Sequence, residues 1–169
     1  LEKEDIPKSK FYANQSLNEI RYMIGSGNIN FSDDFEKMVN EIAQTFETNF
    51  GIKTNVYTAS KKIENLNKKA KTHLIRILQE SLSNISRHSN ASQVEIKIID
   101  GIDDFSFIIC DNGKGFDVKE VEQKNKTDSV KHFGLGNIKK RVNIIGGSVE
   151  FINKGGLTIA IKIKDSVYR

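Results

Sequence analysis

The chain has 169 residues, which suits one domain or one domain with a short appendage. Hydrophobic residues make up 37% and charged residues 28%, and the formal net charge is +4, so composition excludes a dense basic arm for nucleic acid. The single cysteine, Cys110, excludes an internal disulfide, and no apolar run is long enough to cross a membrane.

The first part of the chain predicts an appendage. Residues 10–24 have apolar side chains at helical spacing, and a glycine-containing linker follows them. We therefore divide the chain into an appendage over residues 1–30 and a domain over residues 31–169. The chain begins at Leu1 with neither an initiator Met nor a signal peptide, which predicts a boundary inside a longer protein.

The domain predicts helices and antiparallel hairpins in mixed order. Ser32 is the expected N-cap of the next helix, with Asp33 and Asp34 in its first turn and Gly51 at its end. Helices are expected over residues 32–50, 67–87 and 137–145, and strands over residues 52–58, 93–99, 105–110, 148–153 and 157–164. This order predicts an α+β fold, a two-layer sandwich with a mixed sheet and helices on one face.

The longest predicted helix has an apolar face and a polar face. At 100° per residue, the side chains that fall within about 80° of one another are Leu74, Leu78, Leu82 and Ile85. Glu80, Asn84 and Arg87 fall on the opposite side, and His88 lies next to them. This pattern predicts a line of polar ligands, although a solvated helix face has the same pattern.

Two glycine-containing elements follow. Asp111 ends a predicted strand, and Gly113 and Gly115 after it permit a tight turn and close approach of a ligand to the backbone. The carboxylate of Asp111 can accept a hydrogen bond from a ligand amine, although a glycine hairpin with an Asx turn has the same residues. Gly134 and Gly136 open a helix, whose free N–H groups form a natural phosphate site.

Residues 117–132 separate the two glycine elements. They lack apolar periodicity and are rich in Lys, Glu, Asp and Asn. A polar segment of this length in a compact domain is usually a functional loop or a disordered one. Its position predicts a lid that is mobile without ligand and ordered with it.

In chain order, the four elements are the polar helix face, the first glycine element, the polar segment and the second glycine element. Together they resemble the ATPase domains of the superfamily that contains gyrase, chaperones, histidine kinases and mismatch-repair proteins, over residues 31–164. Residues 79–91 resemble the N box of nitrate-sensor-like histidine kinases. Residues 111–116 resemble the first glycine box, and residues 134–138 resemble the second. Residues 14–24 are similar to the last turns of the dimerisation helix hairpin.

The resemblance implies roles for single residues and the cofactors ATP and Mg²⁺. Asn84 would ligate Mg²⁺, Glu80 would hold a metal-bound water or act as general base, and Asp111 would bind the adenine amino group. The further residues that the resemblance assigns to the nucleotide site are Arg87, His88, Gly113, Gly115, Gly134, Leu135, Gly136 and Thr158.

Two departures from the family pattern stand out. The family often has Gly-Thr in the last hairpin, where the hydroxyl supports the adenine-binding aspartate. Here Leu157 follows Gly156, so either Thr158 takes that role or the support is absent. The His-Asp acceptor pair is also missing, because none of the three histidines has the acceptor context. These histidines are His73, His88 and His132.

The resemblance implies a histidine protein kinase of a two-component system. The intact homodimer would transfer the γ-phosphoryl of ATP to a histidine on its dimerisation helix, and then to an aspartate of a response regulator. The chain given would be a cytoplasmic part of a membrane-bound sensor, without autokinase activity and without contact to nucleic acid or membrane. Two alternatives stay open: an ATPase that clamps DNA, and a non-catalytic docking module.

Overall fold

The computed structural model describes residues 34–115 and 133–165. The elements in these ranges are helices α1 (Phe35–Phe50), α2 (Lys68–His88) and α3 (Phe133–Ile144), a 3₁₀ turn (Lys62–Asn65), and strands β1 (Lys53–Ala59), β2 (Gln93–Asp100), β3 (Asp104–Asp111), β4 (Ser148–Asn153) and β5 (Leu157–Lys164). None of the three helices combines the length and the apolarity that crossing a bilayer requires. The expected helix at residues 10–24, the linker after it and the lid at residues 117–132 lie outside the described residues.

The five strands form one mixed sheet in the order β1-β2-β3-β5-β4. β1 pairs with β2 in parallel, because α2 carries the chain back across the sheet between them. The other pairs, β2 with β3, β3 with β5 and β4 with β5, are antiparallel. The predicted mixed sheet of an α+β fold is therefore confirmed.

The helices cover one face of this sheet. Side chains alternate between buried and half-exposed along β2 and β3, so the buried ones share a face. The ring of Phe35 on α1 meets that of Phe107 on β3 edge to face, with 6.1 Å between centroids. The predicted stripe of α2 is buried as expected; its members are Leu74, Leu78, Leu82 and Ile85. The core thus lies between the helix layer and the sheet.

Two helix starts differ from the prediction. Asp34 is not in the first turn of α1 but is its N-cap, and its carboxylate accepts a hydrogen bond from the N–H of Lys37 at 2.9 Å. Helix α3 begins at Phe133 rather than at residue 137, so the second glycine element lies inside its first turn. The α3 prediction was wrong because glycine was taken to precede a helix, whereas burial of Leu135 one turn before Ile138 extends the helix backwards.

Lys62 joins several segments at the end of the sheet where β2 ends and β3 begins. The ammonium of Lys62 donates to the carbonyls of Gly101 at 2.9 Å, Ile102 at 2.8 Å and Asp104 at 3.2 Å, and it lies 2.8 Å from the carboxylate of Asp165. We call these groups the lysine clamp. It joins the 3₁₀ turn, the β2–β3 hairpin and the end of β5.

Candidate functional site

Asp111 lies at the end of β3, opposite the lysine clamp, and is only 3% exposed. Its Oδ1 accepts a hydrogen bond from the N–H of Gly113 at 2.8 Å, and its Oδ2 accepts one from the N–H of Leu157 at 3.3 Å. Burial raises the pKa of Asp111 above its ordinary value of 3.8, and the two N–H groups oppose that rise. The carboxylate is therefore fixed in direction, with further lone pairs for a ligand donor.

The turn after Asp111 is pressed against the end of α2. A Cβ on Gly113 would overlap the carbonyl oxygen of Ser89 and lie 2.8 Å from Oδ1 of Asp111. The N–H of Lys114 donates to the same Ser89 carbonyl at 2.8 Å. The turn therefore needs glycine at position 113, and this close contact joins the helix end to the aspartate.

The other side of the turn meets the β4–β5 connection. Gly115 has a φ of +62°, and a Cβ there would overlap the side-chain oxygen of Asn153 and lie 3.3 Å from the carbonyl of Gly156. Gly113 and Gly115, both predicted from the first glycine box, thus sit between α2 and the last hairpin. Both glycines allow close packing of protein backbone on protein backbone.

Thr158 lies on the opposite face of the sheet from Asp111. It pairs with Cys110, and its hydroxyl donates to Sγ of Cys110 at 3.1 Å on the face away from the helices. Successive strand residues point to opposite faces, so the residue before Thr158 belongs to the face of Asp111. We expected either that the Thr158 hydroxyl supports Asp111 or that this support is absent. Instead, the main-chain N–H of Leu157 donates to the Asp111 carboxylate.

The polar face of α2 carries the predicted acid and amide. Glu80 and Asn84 are both half-buried and stand one turn apart. Within the described residues, neither side chain makes a hydrogen bond or an ion pair. Arg87, predicted as a phosphate contact, bonds to the carbonyl and hydroxyl of Ser83 on its own helix. His88, the last residue of α2, is exposed.

The second glycine element forms the first turn of α3, which packs beside α2. The first four N–H groups of a helix lack intrahelical partners, and here they belong to residues 133–136. Leu135 is 9% exposed and anchors this turn to the core. Among the described residues outside its own helix backbone, no atom lies within 4 Å of a Cβ built on Gly136.

Four further groups contribute to this site. The carbonyl of Ser89, the amide of Asn112, the close approach of Gly156 and the N–H of Leu157 were not predicted. Three of them act through the main chain, whose donors and acceptors are the same in every residue type. Asn112 lies inside the first glycine box, so its position in the motif was the signal available.

The site combines two kinds of recognition. A buried carboxylate at the end of β3 can accept from an amine on a flat ring. An amide and a carboxylate on α2, with the N–H groups that open α3, can meet the oxygens and counterion of a phosphate chain. The arrangement suits a ligand with a base at one end and phosphates at the other.

Sequence comparison finds sensor kinases among the relatives. The chain is 38% identical over 91 residues to the signal transduction histidine-protein kinase/phosphatase DegS of Bacillus subtilis (strain 168), which covers 54% of this chain and 23% of that protein. It is 34% identical over 103 residues to the sensor histidine kinase LiaS of the same strain, covering 61% and 27% respectively. The chain thus spans about a quarter of the length of the curated relatives it matches.

Solved structures show the same fold at low identity. The catalytic domain of histidine kinase ThkA has a TM-score of 0.60 at 14% identity, over 76% of this chain and 92% of that one. The blue-light activated histidine kinase of Erythrobacter litoralis EL346 has a TM-score of 0.58 at 16% identity, over 75% and 40%.

The family assignment covers the elements that form the site. Residues 69–167 match the family described as histidine kinase-, DNA gyrase B-, and HSP90-like ATPase. This range begins in α2 and runs through both glycine elements and the last hairpin, so it contains every residue of the site described above. From this match, the relatives and the shared fold, the chain belongs to the family of histidine kinase-, DNA gyrase B- and HSP90-like ATPases, as a domain of the sensor histidine kinase kind.

Proposed function

We propose that this domain binds Mg²⁺-ATP between Asp111 and the polar face of α2. Within a longer sensor histidine kinase, it would donate the γ-phosphoryl group to a histidine. The observation that carries this proposal is the buried carboxylate of Asp111, held by two main-chain N–H groups. The family of ATPases and the sensor kinases among the relatives support it.

Asp111 would recognise adenine through its exocyclic amine. The carboxylate offers only acceptors, so it matches the amine of adenine and repels the oxygen that guanine carries at the same ring position. Because Asp111 is 3% exposed, guanine would place this oxygen against a buried carboxylate with no donor between the two acceptors. That costs on the order of 1–3 kcal/mol, which favours ATP over GTP by about 5- to 150-fold.

Asn84 and Glu80 would hold the phosphate end. Mg²⁺ commonly binds through one or two protein oxygens and takes its other ligands from phosphate and water. Glu80 and Asn84, half-buried and one turn apart on α2, offer two such oxygens. When bound, the ion neutralises phosphate charge. Glu80 would orient the attacking group or accept its proton, and the N–H groups that open α3 would contact phosphate oxygens.

The remaining proposals concern the intact protein. We propose that it acts as a homodimer, passes the phosphoryl group to an aspartate of a response regulator, and keeps this domain on the cytoplasmic side of a membrane-bound sensor. The names of the relatives, which include sensor proteins and sensor kinases, support this assignment.

The test is thermal melting of the parent, Asp111→Asn and Asp103→Asn with Mg²⁺ and either ATP or GTP. Asp103 is an exposed aspartate in the β2–β3 connection, so it controls for loss of a charge. A ligand at a hundredfold excess over its Kd stabilises the folded state by roughly 2.7 kcal/mol. For this size of chain, that is a rise in Tm of roughly 5–10 °C.

We expect ATP to stabilise the parent and Asp103→Asn equally, and Asp111→Asn far less. GTP should stabilise all three proteins weakly. If ATP and GTP raise the Tm of the parent by the same amount, recognition of adenine by Asp111 is refuted. If neither nucleotide raises it, the nucleotide site itself is refuted.

A further inference from the structure

Both polar atoms of the Asn112 side-chain amide form hydrogen bonds with residues where the connection from α2 meets β2. Its Oδ1 accepts hydrogen bonds from the N–H groups of Ser92 and Gln93, both at 2.9 Å. Its Nδ2 donates to the hydroxyl of Ser92 at 2.9 Å. All three distances are within the normal range for hydrogen bonds. One exposed side chain therefore ties the first glycine element to the residues that follow α2.

These bonds act where the sheet ladder ends. The last pair between β2 and β3 is Val94 with Asp111, and beyond it only one main-chain bond follows, from the N–H of Asn112 to the carbonyl of Gln93 at 3.2 Å. The bond between Lys114 and Ser89 attaches the far side of the turn. Without the amide of Asn112, the turn would keep the Lys114 bond to Ser89 but lose its tie to Ser92 and Gln93, so it could shift relative to the start of β2.

Such a shift matters because two parts of the site belong to two different elements. Asp111 belongs to β3, whereas Glu80 and Asn84 belong to α2. A ligand that spans both parts binds more tightly when their separation is fixed in advance, because binding then does not have to order the two parts relative to each other. A ligand that touches only Asp111 does not depend on that separation.

We propose that Asn112 is a positioning residue that sets the distance between the base-binding carboxylate and the phosphate-binding helix. This inference rests on the proposed nucleotide site. Asn112 itself does not contact the ligand, and its amide acts by holding the Asp111 turn against the start of β2.

The experiment compares ATP and adenosine as ligands of the same proteins. Asn112→Leu keeps the branched shape of the side chain and removes all of its hydrogen bonds. Asn112→Asp keeps the acceptor for both N–H groups, and the Ser92 hydroxyl can rotate to donate to the new carboxylate. Asn65→Leu is the matched control, because Asn65 is an exposed asparagine in the 3₁₀ turn. Dissociation constants come from titrations followed by NMR, well below the Tm of each protein.

We expect Asn112→Leu to weaken ATP about tenfold or more while adenosine changes by less than about threefold. Asn112→Asp and Asn65→Leu should bind both ligands as the parent does. Equal loss of adenosine and ATP would show a general disturbance of the turn and overturn the positioning role. Unchanged ATP binding by Asn112→Leu, or Asn112→Asp as weak as Asn112→Leu, would also overturn it. If the parent binds neither ligand, the proposed function fails and this inference fails with it.

Discussion

Thr158 and Asp111 project from opposite faces of the sheet, although Thr158 pairs directly with the residue before Asp111. The hydroxyl of Thr158 bonds to Cys110, and the carboxylate of Asp111 bonds to the N–H of Leu157. The hydroxyl therefore has no route to the carboxylate except through the sheet. The residue that contacts Asp111 is Leu157, one position before Thr158. In a strand, a difference of one residue places the side chain on the other face.

Replacing Thr158 with Val should leave nucleotide binding unchanged. Val keeps the shape and β-branching of Thr and removes only the hydroxyl that bonds to Cys110. We expect the Kd for ATP to stay within about twofold of the parent value and stability to change by less than about 1 kcal/mol. Isothermal titration measures the first quantity and urea unfolding the second. A tenfold loss of affinity would place Thr158 in the site after all.

Gly156 should be far less replaceable than its neighbour Gly155. Gly156 has a φ of +128°, and a Cβ there would overlap the carbonyl oxygen of Asp111 and lie 2.7 Å from the carbonyl carbon. Gly155 has a φ of +64° and no described atom within 4 Å of a Cβ. Gly155→Ala therefore carries only the backbone penalty of about 1–2 kcal/mol.

Gly156→Ala should cost more than Gly155→Ala in stability and should also weaken ATP. The displaced turn carries the N–H of Leu157, so Asp111 loses one of its two main-chain donors. We expect an additional loss of about 1–3 kcal/mol, measured by urea unfolding, and a Kd raised severalfold. Equal unfolding free energies for the two variants would contradict the close contact.

Lys62 should stabilise the fold without touching the site. Its ammonium bonds to three carbonyls and one carboxylate, all half-exposed or exposed, so we expect Lys62→Met to cost about 1–3 kcal/mol. Lys61→Met is the matched control, because the exposed Lys61 contributes only its main-chain N–H, to Asp100. That control should change stability by less than about 0.5 kcal/mol.

The Kd for ATP should be the same in Lys62→Met, Lys61→Met and the parent, provided that each is folded. The lysine clamp lies at the end of the sheet where β2 ends, and Asp111 lies at the opposite end, where β3 ends. Chemical denaturation and titration together separate the two effects. Loss of ATP affinity in folded Lys62→Met would mean that the lysine clamp affects the nucleotide site at the opposite end of the sheet.

His73 should make stability fall as the pH is lowered. It belongs to α2, and its Nδ1 is buried with no hydrogen-bond partner among the described residues. Burial lowers the pKa of His73 below its ordinary value of 6.5, and the charges of Arg141 and Lys69 lower it further. The unfolded chain therefore takes up a proton below pH 6.5 that the folded domain resists, so stability is lost from that pH downward.

The test is urea unfolding of the parent and His73→Gln between pH 8 and pH 5. Gln cannot be protonated, so the parent should lose more stability than the variant as the pH falls through the range just below 6.5. Above pH 7.5, the difference between the two proteins should be constant. Parallel curves over the whole range would show that His73 does not contribute. The loss of stability at low pH should also weaken the packing of α3, which carries the second glycine element.

Most of the fold could be predicted because burial leaves a periodic trace in the sequence. The apolar spacing of α2 marked which face this helix buries. The β4 and β5 boundaries agreed fully, and the turn glycines between them marked the hairpin. The start of α3 was wrong because Leu135 carries the periodicity through the glycines.

The candidate site was predictable only in its side chains. Glu80, Asn84 and Asp111 stand out because acids and amides at helix spacing or at a strand end are chemically distinct. The N–H of Leu157 is invisible in sequence, since it depends on the register that pairs Cys110 with Thr158. That register joins strands on either side of residues 116–132, and no local pattern specifies it.

The parallel pairing of β1 with β2 has a consequence for how the chain folds. The β2–β3 and β4–β5 hairpins close short loops, whereas Lys53 meets Gln93 only after the chain has crossed the whole of α2. Closing a long loop costs chain entropy before any contact offsets it, and such non-local pairings slow folding. The β3–β5 pair is more distant still, since Cys110 meets Thr158 across the second glycine element and the β4–β5 hairpin. We therefore expect the two hairpins to form before the β1–β2 and β3–β5 pairings complete the sheet.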